Sequence, residues 1–175
     1  GAVAAVIGHE FGHGFDDQGS RSDGDGRVRD WWSAASRVEF EKRTAGLVDQ
    51  FSQYEPVPGA KINGRQNLGE NIGDLGGLSI AYAAYRKYVD EKLGGKAPVI
   101  DGFTGDQRFF MSWAQLWRSL VTESEERRRL LSDPHSPGEF RVNGIVRNVD
   151  AWYDAFGVKP GDKLYLPPER RVKIW

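Results

Sequence analysis

Two histidines, His9 and His13, lie four residues apart near the start of the chain, and Glu10 directly follows the first of them. In an α-helix, residues four apart project from the same face, so both imidazoles could bind one divalent ion. Zinc accepts neutral imidazole nitrogens and, in catalytic sites, keeps one position open for water. A glutamate beside the first histidine can take a proton from that water without competing as a ligand. The His-Glu-x-x-His spacing therefore predicts a zinc site for metal-assisted hydrolysis, with Glu10 as its general base.

The surroundings of this motif favour a buried site over a surface helix whose polar residues face water. The flanking stretches "AVAAVIG" and "FGHGF" are small and apolar. Gly8 and Gly12 each cost a helix about 1 kcal/mol relative to alanine. Close backbone packing or access for a ligand would explain that cost, whereas a plain surface helix would not.

A third metal ligand must come from elsewhere in the chain, which contains no cysteine. Glu70 and Asp74 are also four residues apart, in the glycine-rich stretch "LGENIGDLGG". One carboxylate can bind the metal while the other accepts the outer N–H of a ligating histidine and so orients its ring. Two solvated carboxylates on an exposed helix are the ordinary alternative, but apolar surroundings would make unpaired carboxylates costly. The residues alone leave open which of the two binds the metal.

The spacing of apolar residues predicts that a mainly helical domain positions these side chains. The predicted helices cover residues 2–14, 31–54, 69–93, 106–131 and 149–156. Polar connectors rich in glycine and proline separate them. One short hairpin is also predicted, in which "EFRV" and "IVRN" pair around Asn143 and Gly144. The expected fold class is therefore mainly α, with long loops and at most a small β-hairpin.

Length and charge restrict the function classes further. A chain of 175 residues suits a single domain. Its 24 basic and 25 acidic residues nearly cancel, which argues against binding to nucleic acid or to an anionic membrane surface. No apolar stretch is long enough to cross a bilayer. The chain begins without a methionine, almost at its first motif, so we expect it to be a piece of a longer protein.

Several motifs in order along the chain together resemble the neprilysin and endothelin-converting-enzyme family of zinc metallopeptidases. These motifs are "VIGHEFGHGFDDQG", "DWW", "YEPVPGAKINGRQNLGENIGDLGGL", "DPHSPGEFRVNG" and "RVKIW". They cover essentially the whole chain, which is similar to the C-terminal catalytic portion of that family. The resemblance implies the helical subdomain of a thermolysin-like (gluzincin) zinc peptidase, with one Zn²⁺ ion and a peptide substrate.

The resemblance also implies a role for each residue of the predicted site. His9, His13 and Glu70 would be the metal ligands, and Glu10 would be the general base. Asp74 would then accept a hydrogen bond from a zinc-binding histidine, which resolves the choice between the two carboxylates.

Two further residues acquire a catalytic or substrate-binding role only through the resemblance. His135, in "DPHSPGEFR", matches the family histidine that stabilises the oxyanion of the tetrahedral intermediate. Arg141 matches the arginine that hydrogen-bonds substrate carbonyls and braces Asp74. From the residues alone, His135 is a loop histidine of unknown purpose, and Arg141 could equally be a structural ion-pair donor.

Two parts of that family lie upstream of the stretch that this sequence matches. One is an Asn-Ala-x-Tyr motif on an edge strand, which would align the substrate by strand addition. The other is a large helical domain that caps the active-site cavity. The resemblance thus implies that residues 1–175 are one domain, the C-terminal zinc-binding portion of a longer metallopeptidase located outside the cytoplasm. We expect its partners to be a peptide and the upstream polypeptide, with no nucleic acid and with any membrane attachment made through upstream segments.

Two other classes of function compete with a peptidase. A zinc-stabilised, non-catalytic module that binds peptides or other proteins would have a closed site with four protein ligands. Three ligands beside a general base favour an open, catalytic site instead. A pseudoenzyme that binds peptides without cleaving them is disfavoured by the presence of Glu10 and His135. Without the upstream parts, we expect the isolated piece to bind zinc but to cleave peptides weakly.

Overall fold

Helices are the main regular secondary structure of the chain, as described by a computed structural model that covers residues 1–175. The seven α-helices are α1 (Ala2–Gly12), α2 (Ala34–Phe51), α3 (Leu68–Lys92), α4 (Gly105–Leu116), α5 (Glu123–Ser132), α6 (Gly138–Val146) and α7 (Asp150–Phe156). Two short 3₁₀ helices occur at Gly19–Arg21 and Pro168–Arg170. The chain contains no β-sheet, only three isolated antiparallel bridges, so the mainly α prediction is confirmed. None of these helices combines the length and the apolar character that crossing a membrane would require.

Helix α3 is the central element, and α1 packs along it at a distance that only glycine permits. A Cβ atom on Gly77 would lie 2.5 Å from the carbonyl oxygen of Ala5 and 2.5 Å from the backbone nitrogen of His9. A Cβ atom on Gly73 would lie 2.8 Å from Nδ1 of His9. The contact on the α1 side is made by Gly8, whose Cβ would lie 2.9 Å from the Cα atom of Gly77. The two helix backbones are therefore close enough for a short carboxylate on α3 to reach the histidines of α1.

The hydrophobic core surrounds the N-terminal half of α3. Residues 71–78 of this helix are all buried. The other helices contribute large side chains that are fully buried, among them Leu47, Phe51, Trp113 and Ile145. Burial of apolar side chains contributes roughly 1.5–3 kcal/mol each and so holds α3 in place. The polar side chains of this half of α3 consequently lie away from solvent and need partners within the protein.

The predicted β-hairpin is wrong, because residues 138–146 form helix α6. Arg141 and Ile145, four residues apart, are both buried on one face of this helix. Gly144 makes no turn: it packs against Phe51, and a Cβ atom there would lie 2.8 Å from Cζ of that ring. Asn-Gly is a turn signal only where the local apolar pattern alternates, and here the buried positions follow the helical period instead.

The predicted helix at 106–131 is two helices, α4 and α5, joined by residues 117–122. Helix α5 begins where the hydroxyl of Thr122 accepts a hydrogen bond from the backbone N–H of Glu125. A Thr-x-x-Glu sequence is a helix start signal. Apolar residues continue across the junction at helical spacing, at Leu116 and Leu120, and this continuity conceals the start of α5 in the sequence.

Candidate metal centre

Three potential metal ligands converge between α1 and α3. His9 and His13 come from α1 and its C-terminal end, and Glu70 comes from the first turn of α3. One ligand atom from each residue lies within 4.8 Å of the others. The two imidazole rings are 4.6 Å apart between centroids, at an angle of 89°. The structure thus brings together the three side chains that the sequence predicts as ligands.

His9 is buried between two carboxylates. Its Nδ1 atom is 2.8 Å from Oδ1 of Asp74, and its Nε2 atom is 3.2 Å from Oε2 of Glu70. Because an ionised carboxylate only accepts hydrogen bonds, Nδ1 is the donor to Asp74. Burial lowers the pKa of His9, but the adjacent carboxylates of Asp74 and Glu70 outweigh burial and raise it to about 9.

One oxygen of Glu70, Oε2, is buried and accepts no hydrogen bond. Three nitrogen atoms nevertheless lie close to it: Nε2 of His9 at 3.2 Å, Nε2 of His135 at 3.1 Å and Nη2 of Arg141 at 3.6 Å. Burial raises the pKa of this carboxyl, but His9 and the charges of His135 and His13 outweigh burial and lower it. A buried carboxylate without a donor is costly, and a cation among these ligand atoms would remove the cost. Neutral imidazoles and a carboxylate form a donor set that suits zinc.

Asp74 lies behind His9 and is itself held by Arg141. The guanidinium donates from Nε to Oδ2 and from Nη2 to Oδ1 of Asp74, both at 2.7 Å. It also lies over the ring of Trp117, 3.7 Å from its centroid. The remaining nitrogen, Nη1, makes no hydrogen bond within the chain. Arg141 therefore braces Asp74 and keeps the N–H groups of Nη1 for another group.

His135 lies on the loop between α5 and α6, at the rim of the centre. Its Nδ1 atom and its backbone N–H both donate to Oδ1 of Asp133, at 2.8 and 2.9 Å. The loop is fastened to the start of α3, because the side-chain amides of Gln66 and Asn67 donate to the carbonyl oxygen of Asp133. The other ring nitrogen, Nε2, faces Glu70. The structure thus brings His135 to the three ligands, although it lies 126 positions after His9 in the chain.

Glu10 lies on α1 between the two histidines, with its side chain exposed to solvent. It makes no hydrogen bond or ion pair with any other residue of the site. Together with Val6, Ile7 and Phe11 it lines a shallow depression on the surface of α1. The position gives solvent access to the carboxylate, and the role of general base stays a prediction.

Sequence reasoning missed two acidic residues that hold histidines. Asp133 fixes the ring of His135, and Asp16 lies 2.8 Å from Nδ1 of His13 through its Oδ2 atom. A signal was present in each case, since each acid lies two or three residues from its histidine. Both are in loops, where spacing alone does not tell whether two side chains face each other.

Comparisons with known proteins identify relatives that match the whole chain. The family model for peptidase family M13 matches residues 1–172. Endothelin-converting enzyme 1 of Bos taurus is 40% identical over 175 residues, which is 100% of this chain and 23% of that protein. Neprilysin-11 of Caenorhabditis elegans is 40% identical over 179 residues, or 100% of this chain and 21% of that protein.

A solved structure of a zinc metalloprotease has the same fold as this chain. The Mycobacterium tuberculosis zinc metalloprotease Zmp1, in complex with an inhibitor, superimposes with a TM-score of 0.94 at 54% sequence identity. The match covers 99% of this chain and 27% of that one, so the chain spans about a quarter of the length of its relatives. Because the family model matches nearly every residue, and the relatives are those that the sequence motifs indicate, the chain belongs to peptidase family M13.

Proposed function

We propose that this chain carries the zinc site of a metallopeptidase that hydrolyses peptide bonds. The observation that supports this most directly is the convergence of His9, His13 and Glu70 around a carboxylate oxygen that lacks a donor. In this proposal, both histidines would bind the same zinc ion through Nε2, because the Nδ1 atom of each is hydrogen-bonded to a carboxylate, of Asp74 and of Asp16 respectively. Glu70 completes the set with its carboxylate.

Zinc in such a site supplies Lewis acidity, which makes water a stronger nucleophile at neutral pH and polarises a carbonyl group. Glu10 then accepts the proton of the attacking water on its carboxylate and delivers it to the nitrogen of the leaving amine. Its exposed position on α1 allows contact with both water and a bound peptide. Acid–base catalysis of this kind contributes typically 10²–10⁴-fold in rate.

The charge that develops on the carbonyl oxygen is stabilised by His135. Asp133 holds the proton on Nδ1 and keeps Nε2 directed at the centre. Removing one preorganised donor of this type costs roughly 10²–10³ in kcat. Arg141 binds a substrate carbonyl through Nη1, while its other nitrogens keep Asp74, and through it His9, in place.

The rest of the catalytic machinery belongs to a longer polypeptide in this proposal. The chain spans only 21–27% of the relatives described above. We therefore assign residues 1–175 to the zinc-binding portion, and assign the upstream part of the polypeptide to substrate alignment and to closure of the cavity. We expect the isolated portion to bind zinc and to cleave peptides weakly. An extracytoplasmic location is part of the same proposal and follows from the family likeness alone.

Metal content and peptide hydrolysis together test the proposal. Equilibrium dialysis of the 175-residue chain against Zn²⁺ is expected to give one ion per chain, and Glu70→Gln should weaken binding at least 100-fold. Glu91→Gln is the matched control, because Glu91 lies on the same helix but is exposed and forms an ion pair with Lys87, away from the centre. In the longer polypeptide, hydrolysis of a fluorogenic peptide should stop on chelation and return with added Zn²⁺. A chain that binds no zinc, or hydrolysis that survives complete removal of the metal, would refute the assignment.

A further inference from the structure

The loop that follows α1 fixes a buried carboxylate against His13. Oδ2 of Asp16 lies 2.8 Å from Nδ1 of His13. Oδ1 of the same group accepts hydrogen bonds from the backbone N–H groups of Gln18 and Gly19, at 2.8 and 2.7 Å. The Asp16 side chain is only 8% exposed. Both oxygens are therefore occupied, and the carboxylate has one orientation.

His13 needs such a contact more than His9 does. It is the C-cap of α1, so its backbone lies beyond the last helical residue, and its side chain is 34% exposed. A partly exposed side chain at a helix end would otherwise occupy several rotamers. The contact with Asp16 holds the ring so that Nε2 lies 3.6 Å from Oε1 of Glu70. It also keeps the proton on Nδ1, which leaves the Nε2 lone pair directed into the centre.

Neighbouring backbone segments fix the position of the Asp16 side chain. A Cβ atom on Gly19 would lie 1.7 Å from the carbonyl oxygen of His13, so the loop folds back tightly onto the end of α1. A Cβ atom on Gly69 would lie 3.1 Å from Oδ2 of Asp16. The start of α3 therefore closes the other side of the carboxylate. Contacts with two elements hold Asp16 in place whether or not a metal is bound.

We propose that Asp16 is the positioning residue for His13, so that each histidine of the centre is held by a carboxylate of its own. This inference rests on the proposed zinc function. The two carboxylates differ in charge balance: Arg141 pairs with Asp74, whereas Asp16 receives only backbone N–H groups besides His13. Asp16 thus adds negative charge to the centre that no cationic side chain neutralises, and this charge favours a divalent cation. Carboxylate partners of metal-binding histidines typically change metal affinity by 10–100-fold.

Asp16→Asn separates orientation of the ring from folding of the loop. The amide oxygen can still accept from Gln18 and Gly19, but the amide nitrogen cannot accept from Nδ1 of His13. In the 175-residue chain, we expect the Kd for Zn²⁺, measured by competition with a chromophoric chelator, to rise 10–100-fold. The unfolding midpoint of the metal-free variant should stay close to that of the wild type. The Co²⁺-substituted variant should also show altered absorption bands, which a purely structural role would leave unchanged.

Asp23→Asn is the matched control. Oδ1 of Asp23 accepts from the backbone N–H groups of Asp25 and Arg27 in the same manner, but no histidine is near. Its Kd for Zn²⁺ should equal that of the wild type. If Asp16→Asn also leaves the Kd and the Co²⁺ spectrum unchanged while the wild type binds zinc, the inference fails and the proposed function survives. A wild-type chain that binds no zinc would overturn both.

Two further measurements cover the case in which Asp16→Asn disturbs the loop. In a double-mutant cycle, Asp16→Asn should cost much less zinc affinity once His13→Ala has removed the ring, because only the contribution of the charge then remains. An equal loss in both backgrounds would show that Asp16 acts on the loop alone and would overturn the inference. In the zinc-bound wild type, ¹H–¹⁵N spectra should show His13 protonated on Nδ1. Protonation on Nε2 instead would contradict the inference without any variant.

Discussion

Nε2 of His9 lies 3.2 Å from Oε2 of Glu70, yet no hydrogen bond joins the two atoms. Two electron-rich atoms held this close need a positive charge between them, and either a proton or a metal ion can supply it. Since α1 and α3 each contribute one of the atoms, whatever binds there also links the two helices. The centre should therefore affect the stability of the chain as well as its chemistry.

Zinc should stabilise the 175-residue chain against unfolding. A ligand that binds only the folded state contributes about 2.7 kcal/mol when its free concentration is 100 times its Kd. We expect the thermal midpoint to rise steadily with added Zn²⁺ and to fall on chelation, as followed by circular dichroism. Glu70→Gln should lose this response and Glu91→Gln should keep it. A midpoint independent of zinc would show that the three ligands do not form a site in solution.

The metal-free chain should lose stability in alkaline solution. The pKa of His9 is raised from 6.5 to about 9, so its charged form stabilises the fold fully below pH 6.5, and this contribution is lost as the pH rises through about 9. A shift of this size corresponds to roughly 3 kcal/mol. Urea unfolding of the chelator-treated chain at pH 6, 8 and 10 should show the loss. His9→Gln should flatten the profile over this range, and an equal alkaline slope in that variant would assign the effect to other groups.

Gly77 should tolerate no side chain, because its Cβ position lies 2.5 Å from backbone atoms of α1. Overpacking of this kind costs typically 1–3 kcal/mol. We expect Gly77→Ala to lower the free energy of unfolding by about that amount and also to weaken zinc binding, since α1 must move away from α3. Gly12→Ala is the control at the same interface: its nearest neighbour, Cα of Gly73, would be 3.5 Å away. That variant should be neutral or slightly stabilising in urea unfolding.

The sequence predicts the centre better than it predicts the elements around it. His9 and His13 are related by one helical turn, so their shared face follows from local spacing alone. Glu70 and Asp74 are likewise one helical turn apart, and the glycines beside them indicate close packing. The structure differs at residues 138–146, where the position of Gly144 against Phe51 is decided by tertiary packing and not by a local turn preference.

The carboxylates in the loops show a second limit of sequence reasoning. Asp16 and Asp133 contact His13 and His135 only because backbone N–H groups of the same loops turn both carboxylates toward the rings. Such contacts depend on loop dihedral angles that residue spacing does not determine. Helical spacing, in contrast, fixes the direction of a side chain to within a small range, so the helix-borne ligands are the predictable part of the site.

Glu10→Gln should separate catalysis from metal binding. The amide keeps the size of the side chain but cannot take the proton of the attacking water, so peptide hydrolysis by the longer polypeptide should fall 10²–10⁴-fold. The Glu10 side chain makes no hydrogen bond or ion pair with the three ligands, and the zinc content should therefore stay at the wild-type level. Full turnover in this variant would remove Glu10 from the mechanism. Loss of zinc instead would indicate that Glu10 acts as a ligand.

Arg141→Met should destabilise the chain strongly, because it leaves the buried carboxylate of Asp74 without its bidentate partner. Breaking a buried ion pair from one side typically costs 3–5 kcal/mol. We expect urea unfolding to show a loss of this order, and Arg141→Lys to recover only part of it, since an ammonium group cannot make both hydrogen bonds. The double variant Asp74→Asn with Arg141→Met should be more stable than Arg141→Met alone, because no unpaired charge then remains buried. If the two changes are additive instead, the pair does not act as a unit, and the brace on His9 must come from elsewhere.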